Sequence, residues 1–171
     1  MVFNFNGFDS DFVVETPISP WVLHTSTDLQ YTIGHPAGWD VEEERSEWAA
    51  DYFFGLESEL HVYRNDLDPA DVPSLNAWVR GYVDLFAPED GLETGRLQET
   101  VVMGFPARYL PFTYLDESGT VSGVYLVTQV STTTVFELVY FDNDDDRTVE
   151  TMLDFASTLK VDVATGDQAS I

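Results

Sequence analysis

Cysteine is absent from the chain, which removes disulfides, thiolate metal sites and thiol nucleophiles together. Lysine is nearly absent too: Lys160 stands alone, and the other basic residues are arginines. No apolar run approaches the roughly 20 residues that a membrane-spanning helix needs, so direct bilayer insertion is not expected. Phosphate-cradling loops of the G-x-x-x-x-G-K-[ST] and G-x-G-x-x-G kinds are missing, as are the G-x-S-x-G elbow and the H-E-x-x-H helix. With those routes to nucleotide binding, hydrolysis and zinc chemistry removed, the expectation is a protein that is not an enzyme and holds no resident cofactor.

What is present in excess is acid: 31 Asp and Glu against 7 Lys and Arg give a formal net charge of -24. A field of that sign repels nucleic acid and anionic membrane surfaces. Strongly hydrated carboxylates with few ammonium groups suit concentrated salt, where a Debye length of about 3 Å at 1 M removes self-repulsion. A salt-adapted source is the preferred reading. An ordinary acidic secreted protein is the alternative, and a nucleic-acid mimic ranks below both because the acids are spread along the chain. Hydrophobic residues at 44% and aromatics at 14% supply a core, and 171 residues suffice for one domain.

Residues 1–20 read as an arm with Phe3, Phe5, Phe8 and Phe12, ending in the Pro17/Pro20 pair. They carry neither the basic nor the apolar segment of a signal peptide. An extracytoplasmic location therefore implies a leader already removed, and a cytoplasmic location is the alternative. Strand patterns follow at Trp21 to Ser26, Leu29 to Ile33, Trp39 to Glu44, Trp48 to Phe54 and Glu59 to Tyr63, with Gly34 to Asp40 as a turn. Pro73-Ser74 then opens a helix whose apolar stripe is Leu75, Trp78, Val79, Tyr82, Val83 and Phe86. After a loop over Pro88 to Gly95, a strand runs from Arg96 to Val102 and turns at Gly104-Phe105-Pro106. In the next strand Arg108, Leu110, Phe112 and Tyr114 share one face. The Asp116 to Gly119 hairpin and the runs Val121 to Val130 and Thr133 to Phe141 complete a meander. A closing helix carries Val149, Met152, Leu153, Ala156 and Leu159 on its buried face, with Lys160 near its C-terminus. Ala164 to Ile171 is expected to be a disordered tail.

That order, with Tyr31-Thr32-Ile33-Gly34-His35-Pro36-Ala37-Gly38-Trp39, Gly104-Phe105-Pro106-Ala107-Arg108 and the closing Phe155 to Val161, resembles the PsbP-like fold over residues 21–163. The fold is shared by extrinsic proteins of the photosynthetic oxygen-evolving complex, the Ran-binding Mog family and many bacterial and archaeal lipoproteins. The resemblance implies an α+β fold, a central twisted antiparallel β-sheet of about six to eight strands with helices packed on its faces. It also implies a domain that binds or steadies other proteins. No motif for a photosystem-contacting or Ran-contacting surface matches.

The candidate sites are few. Asp142, Asp144 and Asp146 occupy positions 1, 3 and 5 of a calcium-loop pattern, so a weak Ca²⁺ site is one reading. Arg147 stands where the loop's glycine belongs and Leu153 where its bidentate glutamate belongs, which favours helix capping and dipole compensation instead. Asp66, Asp68 and Asp71 form a second cluster, read as turn-forming. His24, His35 and His61 match no metal-ligand spacing. The expectation is a non-enzymatic protein-binding or accessory domain, extracytoplasmic and from a salt-adapted organism. Its alternatives are a cytoplasmic chaperone-type adaptor for a secreted partner, which should expose an apolar groove between sheet and helix, and a small hydrolase with an unrecognised site, which a deep pocket holding a histidine and perturbed carboxylates would promote.

Overall fold

The structure is a computed structural model that describes residues 20–45, 49–86, 91–117, 119–142 and 147–161. Among the described residues eleven strands and two helices follow one another as β1 (Trp21–Ser26), β2 (Tyr31–Pro36), β3 (Asp40–Glu44), β4 (Ala50–Phe54), β5 (Ser58–Asp66), α1 (Leu75–Phe86), β6 (Glu93–Thr94), β7 (Gln98–Val102), β8 (Phe105–Asp116), β9 (Gly119–Gln129), β10 (Thr134–Asp142), α2 (Thr148–Thr158) and β11 (Lys160–Val161). The large sheet runs β3-β4-β5-β10-β9-β8-β6, with β7 also paired to β8, and every pairing is antiparallel. A small second sheet, β1-β2-β11, is separate from it.

The α+β architecture expected from the sequence is therefore present, and the small sheet is an addition to it. Successive residues of β9 alternate between two packed faces, which is why Val121 to Thr128 is buried without interruption. One face of the large sheet, with Phe53, Leu60, Val62, Val124, Leu126, Phe136 and Leu138, packs on Tyr31 and Ile33 of β2 and on Met152, Phe155 and Ala156 of α2. The opposite face, with Leu110, Phe112, Tyr125, Val127, Val135 and Val139, packs on Val79 of α1. Gly123 sits directly opposite Phe112, and a Cβ there would run into the Phe112 ring. The ring thus covers the gap the glycine leaves in the sheet.

Helix α1 begins where the sequence places it: the Ser74 hydroxyl accepts from the Ala77 amide at 3.2 Å, filling the role of an N-cap. Trp78, Tyr82 and Val83 lie half-buried on the same stripe as buried Val79. The helix lies mainly over β8 and β9, and among the described residues no other helix covers the same face of β4, β5 and β10.

Four sequence expectations shift. Gly34 to Pro36, read as a turn, continues β2, because His35 and Pro36 pair with Val22 and Trp21 of β1. β11 pairs only with Thr32 and Tyr31, so the far side of that segment is an open edge that tolerates proline. β5 runs on through Arg64, Asn65 and Asp66, whose polarity hides a strand that β10 pairs to its end. The turn into β8 is at Met103-Gly104, both at positive φ (54 and 86), the geometry of a two-residue type I′ hairpin joining Val102 to Phe105. Lys160 lies in β11 and not in the last turn of α2, which ends at Thr158 with Leu159 extended. The expected arm (residues 1–19 of it) and tail lie outside the described residues.

Candidate functional site

The face that α1 leaves open forms a groove of about 760 Å³ beside the helix. Its floor is β4, β5 and β10, and Tyr82 and Leu85 of α1 form one wall. Aromatic side chains dominate: Tyr52, His61, Tyr63, Tyr114 and Phe141 all line it. They hold one another in place, His61 edge to face with Tyr52 at 4.7 Å and tilted against Phe141 at 5.2 Å between ring centroids. On the wall, Tyr82 stacks on Tyr125 at 3.9 Å, which fixes the α1 side of the groove. Two leucines at the mouth face water, Leu56 completely and Leu85 at 77%.

Polar groups enter this aromatic surface at two places. His61 is neutral: burial lowers its pKa, and the hydrogen bond and charge of Glu59 only partly oppose that. Its Nε2–H donates to Glu59 at 3.0 Å, leaving Nδ1 to accept from the Tyr63 hydroxyl at 3.3 Å. Glu137 lies on the floor of the groove, half-buried. Its carboxylate accepts from the Asn65 amide at 2.6 Å and from the Tyr125 hydroxyl at 2.5 Å. Burial, with the carboxylate beside it, pushes the Tyr125 hydroxyl far up, so it remains a donor.

A second polar cluster lies on the other side of the large sheet, between the two sheets. Asp51 of β4 is fully buried. It accepts from Arg45 at 2.7 Å, from the Tyr31 hydroxyl at 2.5 Å and from His24 at 3.4 Å. Burial alone would raise its pKa, but hydrogen bonds from Tyr31, Ser26 and Arg45 and the charge of Arg45 outweigh that and hold it below the usual carboxylate range. His24, Glu43 and Asp51 have ligand atoms spaced closely enough for a metal ion. The Arg45 guanidinium, however, also lies 3.5 Å from Glu43, so an organic cation already fills the charge that a metal would bring. The cluster is a fastening between β1, β2 and β4, not a site open to ligands.

The sequence-derived candidates scatter. Of Asp142, Asp144 and Asp146, only Asp142 lies among the described residues. It ends β10, and its Oδ2 accepts from the Tyr140 hydroxyl at 2.5 Å. In the other cluster Asp66 pairs with Arg64 and accepts from Thr134, while the Asp68 carboxylate accepts from the Ala70 amide in a turn. Asp66 and Asp142 stand at opposite ends of the β5–β10 ladder. Eight steps of about 3.4 Å place them roughly 27 Å apart, so those two carboxylates share no site. The three histidines also part company: His24 joins Asp51, His35 packs 5.2 Å from Phe53, and His61 lines the groove. Glu137 and Asp51 were not singled out by sequence. Each nonetheless leaves a trace, an acid inside an aromatic strand, Asp51 in ADYFF and Glu137 in TVFELVYFD.

An eight-stranded antiparallel sheet with α1 on one face and, on the other, α2 with a small sheet is the PsbP-like fold, and this chain has it. Cyanobacterial PsbP (CyanoP) from Synechocystis is similar in structure, with a TM-score of 0.61 at 16% identity, over 86% of this chain and 95% of that one. LpqN of Mycobacterium tuberculosis, described as involved in cell envelope biogenesis, is similar with a TM-score of 0.54 at 15% identity, over 83% of this chain and 90% of that one. A Bacteroides thetaiotaomicron protein gives a TM-score of 0.59 at 10% identity, this chain matching 49% of its length. No protein-family model matches the sequence, and no curated protein is similar to it in sequence. Among the described residues no helix is long and apolar enough to cross a membrane.

Proposed function

We propose that this is a non-enzymatic binding or accessory domain that holds a protein partner through the groove beside α1. The observation that carries the reading is the groove: an aromatic floor with water-exposed Leu56 and Leu85 at its mouth. Rigid rings with few rotatable bonds give contact area at low entropic cost, and exposed leucines beside them extend the apolar surface. His61 is engaged on both ring nitrogens, which suits a wall better than a general base. The PsbP-like fold is consistent with such a role. The test is a pull-down at native salt with the wild type and with the rim variant Leu56→Asp/Leu85→Asp. A partner retained by the wild type and lost at least about tenfold by the variant supports the reading. Equal recovery moves binding off the groove, and recovery of no stable partner counts against a protein-binding role.

We infer an extracytoplasmic setting and a salt-adapted source from two further features. LpqN's description in cell envelope biogenesis supports the first. The net charge of -24 supports the second, because so many carboxylates repel one another unless salt screens them. The unfolding temperature should therefore rise between about 0.1 and 2 M KCl, as the screening length falls from about 10 Å to a few Å. A flat or falling melting temperature across that range would remove the salt-adapted reading and leave an ordinary acidic protein. The cytoplasmic adaptor reading shares the groove, so a signal sequence or lipid-attachment motif in the genomic reading frame upstream decides between the two.

A further inference from the structure

We propose that the groove takes a basic side chain of its protein partner, an arginine or lysine, whose cation lies over the tyrosine rings and pairs with Glu137. This rests on the groove being the binding surface.

The starting point is the charge on Glu137. Its two hydrogen-bond donors, Asn65 and Tyr125, are both neutral. Among the described residues no basic side chain forms an ion pair with it. Four of the chain's seven lysines and arginines are committed to other acids: Arg45 to Asp51, Arg64 to Asp66, Arg108 to Glu99 and Arg147 to Glu150. A half-buried carboxylate held by neutral donors presents its negative charge to whatever enters beside it, and a cation is the complementary group. The open side of Glu137 faces the groove, where such a cation can come from outside.

The surroundings suit a cation on an apolar stem. Tyr52, Tyr63, Tyr82 and Tyr114 present ring faces and edges around the floor, and a guanidinium or ammonium over a tyrosine face gains from the ring quadrupole. Glu57, Glu59 and Asp116 add negative potential at the rim. The methylenes of arginine or lysine would lie along Val139 and Phe141 while the head reaches the carboxylate. An anionic or purely apolar segment would leave Glu137 uncompensated, so charge complementarity selects the basic one.

The test uses the whole chain and a short capped peptide with one arginine between two leucines, compared with the same peptide carrying citrulline, its neutral isostere. Calorimetric titration in about 1 M KCl screens the general attraction of an acidic protein for any cation. The arginine peptide should bind at least about tenfold more tightly than the citrulline peptide. Glu137→Gln should reduce that ratio below about threefold, whereas Asp154→Asn, the same charge change on exposed α2, should leave it unaltered. Equal affinity of the two peptides for the wild type overturns the proposal while leaving the groove as an apolar binding surface. Binding of either peptide that survives Leu56→Ser/Leu85→Ser, which removes the apolar rim without adding charge, overturns the groove itself. The wild-type ratio does not depend on any variant folding, so a misfolded Glu137→Gln would not rescue the idea.

Discussion

Replacing Asp51 by alanine should lower the unfolding free energy by about 3–5 kcal/mol, the cost of removing one partner from a buried ion pair. Asp51 is fully buried, and its carboxylate is where Arg45 after β3, Tyr31 of β2 and His24 of β1 meet. Without it the Arg45 guanidinium keeps Glu43, Asp28, the Ser26 hydroxyl and backbone carbonyls, and the buried Tyr31 hydroxyl loses its acceptor. The comparison variant is Glu43→Ala, which removes a half-exposed partner of the same arginine and should cost under about 1 kcal/mol. Denaturant unfolding of both variants checks the pair. A loss below about 1.5 kcal/mol for Asp51→Ala would mean that the two sheets are held by apolar packing alone.

The same residue sets part of the pH dependence. Asp51 and Asp66 have folded pKa values below the ordinary 3.8, so the unfolded chain takes up their protons first and stability falls as pH drops below about that value. His35 and His61 are lowered from 6.5 by burial, and again the unfolded state protonates first. Their contribution is complete above about pH 6.5 and declines below it. The wild type should therefore lose stability in two stages on acidification. In Asp51→Ala the lower stage should shrink, with Asp66 supplying what remains, and the upper stage should persist. Melting temperatures from pH 7 to 3 read both stages.

Local chemistry was legible in the sequence; the partners of each strand were not. The α1 stripe, the Asp116 to Gly119 hairpin and the alternation of β8 all announce themselves through periodicities that belong to one element. The pairing of β5 with β10 joins Ser58–Asp66 to Thr134–Asp142, and no local pattern carries that information. The division into two sheets is hidden for the same reason, since β11 contributes only two residues to β2. The groove combines both kinds of concealment. It exists because α1 lies mainly over β8 and β9 and to one side of β4 and β5, a matter of where a helix comes to rest. Glu137 could have been noticed as the one charge inside its strand, since the other acid, Asp142, is the strand's last residue. Phe155 could have been noticed as well, because it lies next to the Met152–Ala156 side of the closing helix.

Phe155→Ala carries the other large expected loss, about 3–5 kcal/mol, from lost burial together with the cavity left behind. The ring is fully buried and touches three others, Trp21 at 5.0 Å, Tyr140 at 5.5 Å and Trp39 at 5.6 Å between centroids. Those three come from β1, from β10 and from the turn before β3, so one side chain of α2 joins both sheets. Collapse around the void is restricted, because Gly34 brings the β2 backbone close to Trp21 and Thr158 and its amide is held by the Thr158 hydroxyl at 2.9 Å. The upper part of the range is therefore expected, and Phe155→Leu should cost less than half as much. Denaturant unfolding measures the loss, and a red shift of tryptophan emission should accompany it as Trp21 and Trp39 gain water. A cost below about 1.5 kcal/mol would show that the two sheets can close over the space. The groove lies on the opposite face of the large sheet, so below the unfolding transition Phe155→Ala should bind the arginine peptide as the wild type does. That outcome would separate the residues that hold the fold together from those that meet the partner.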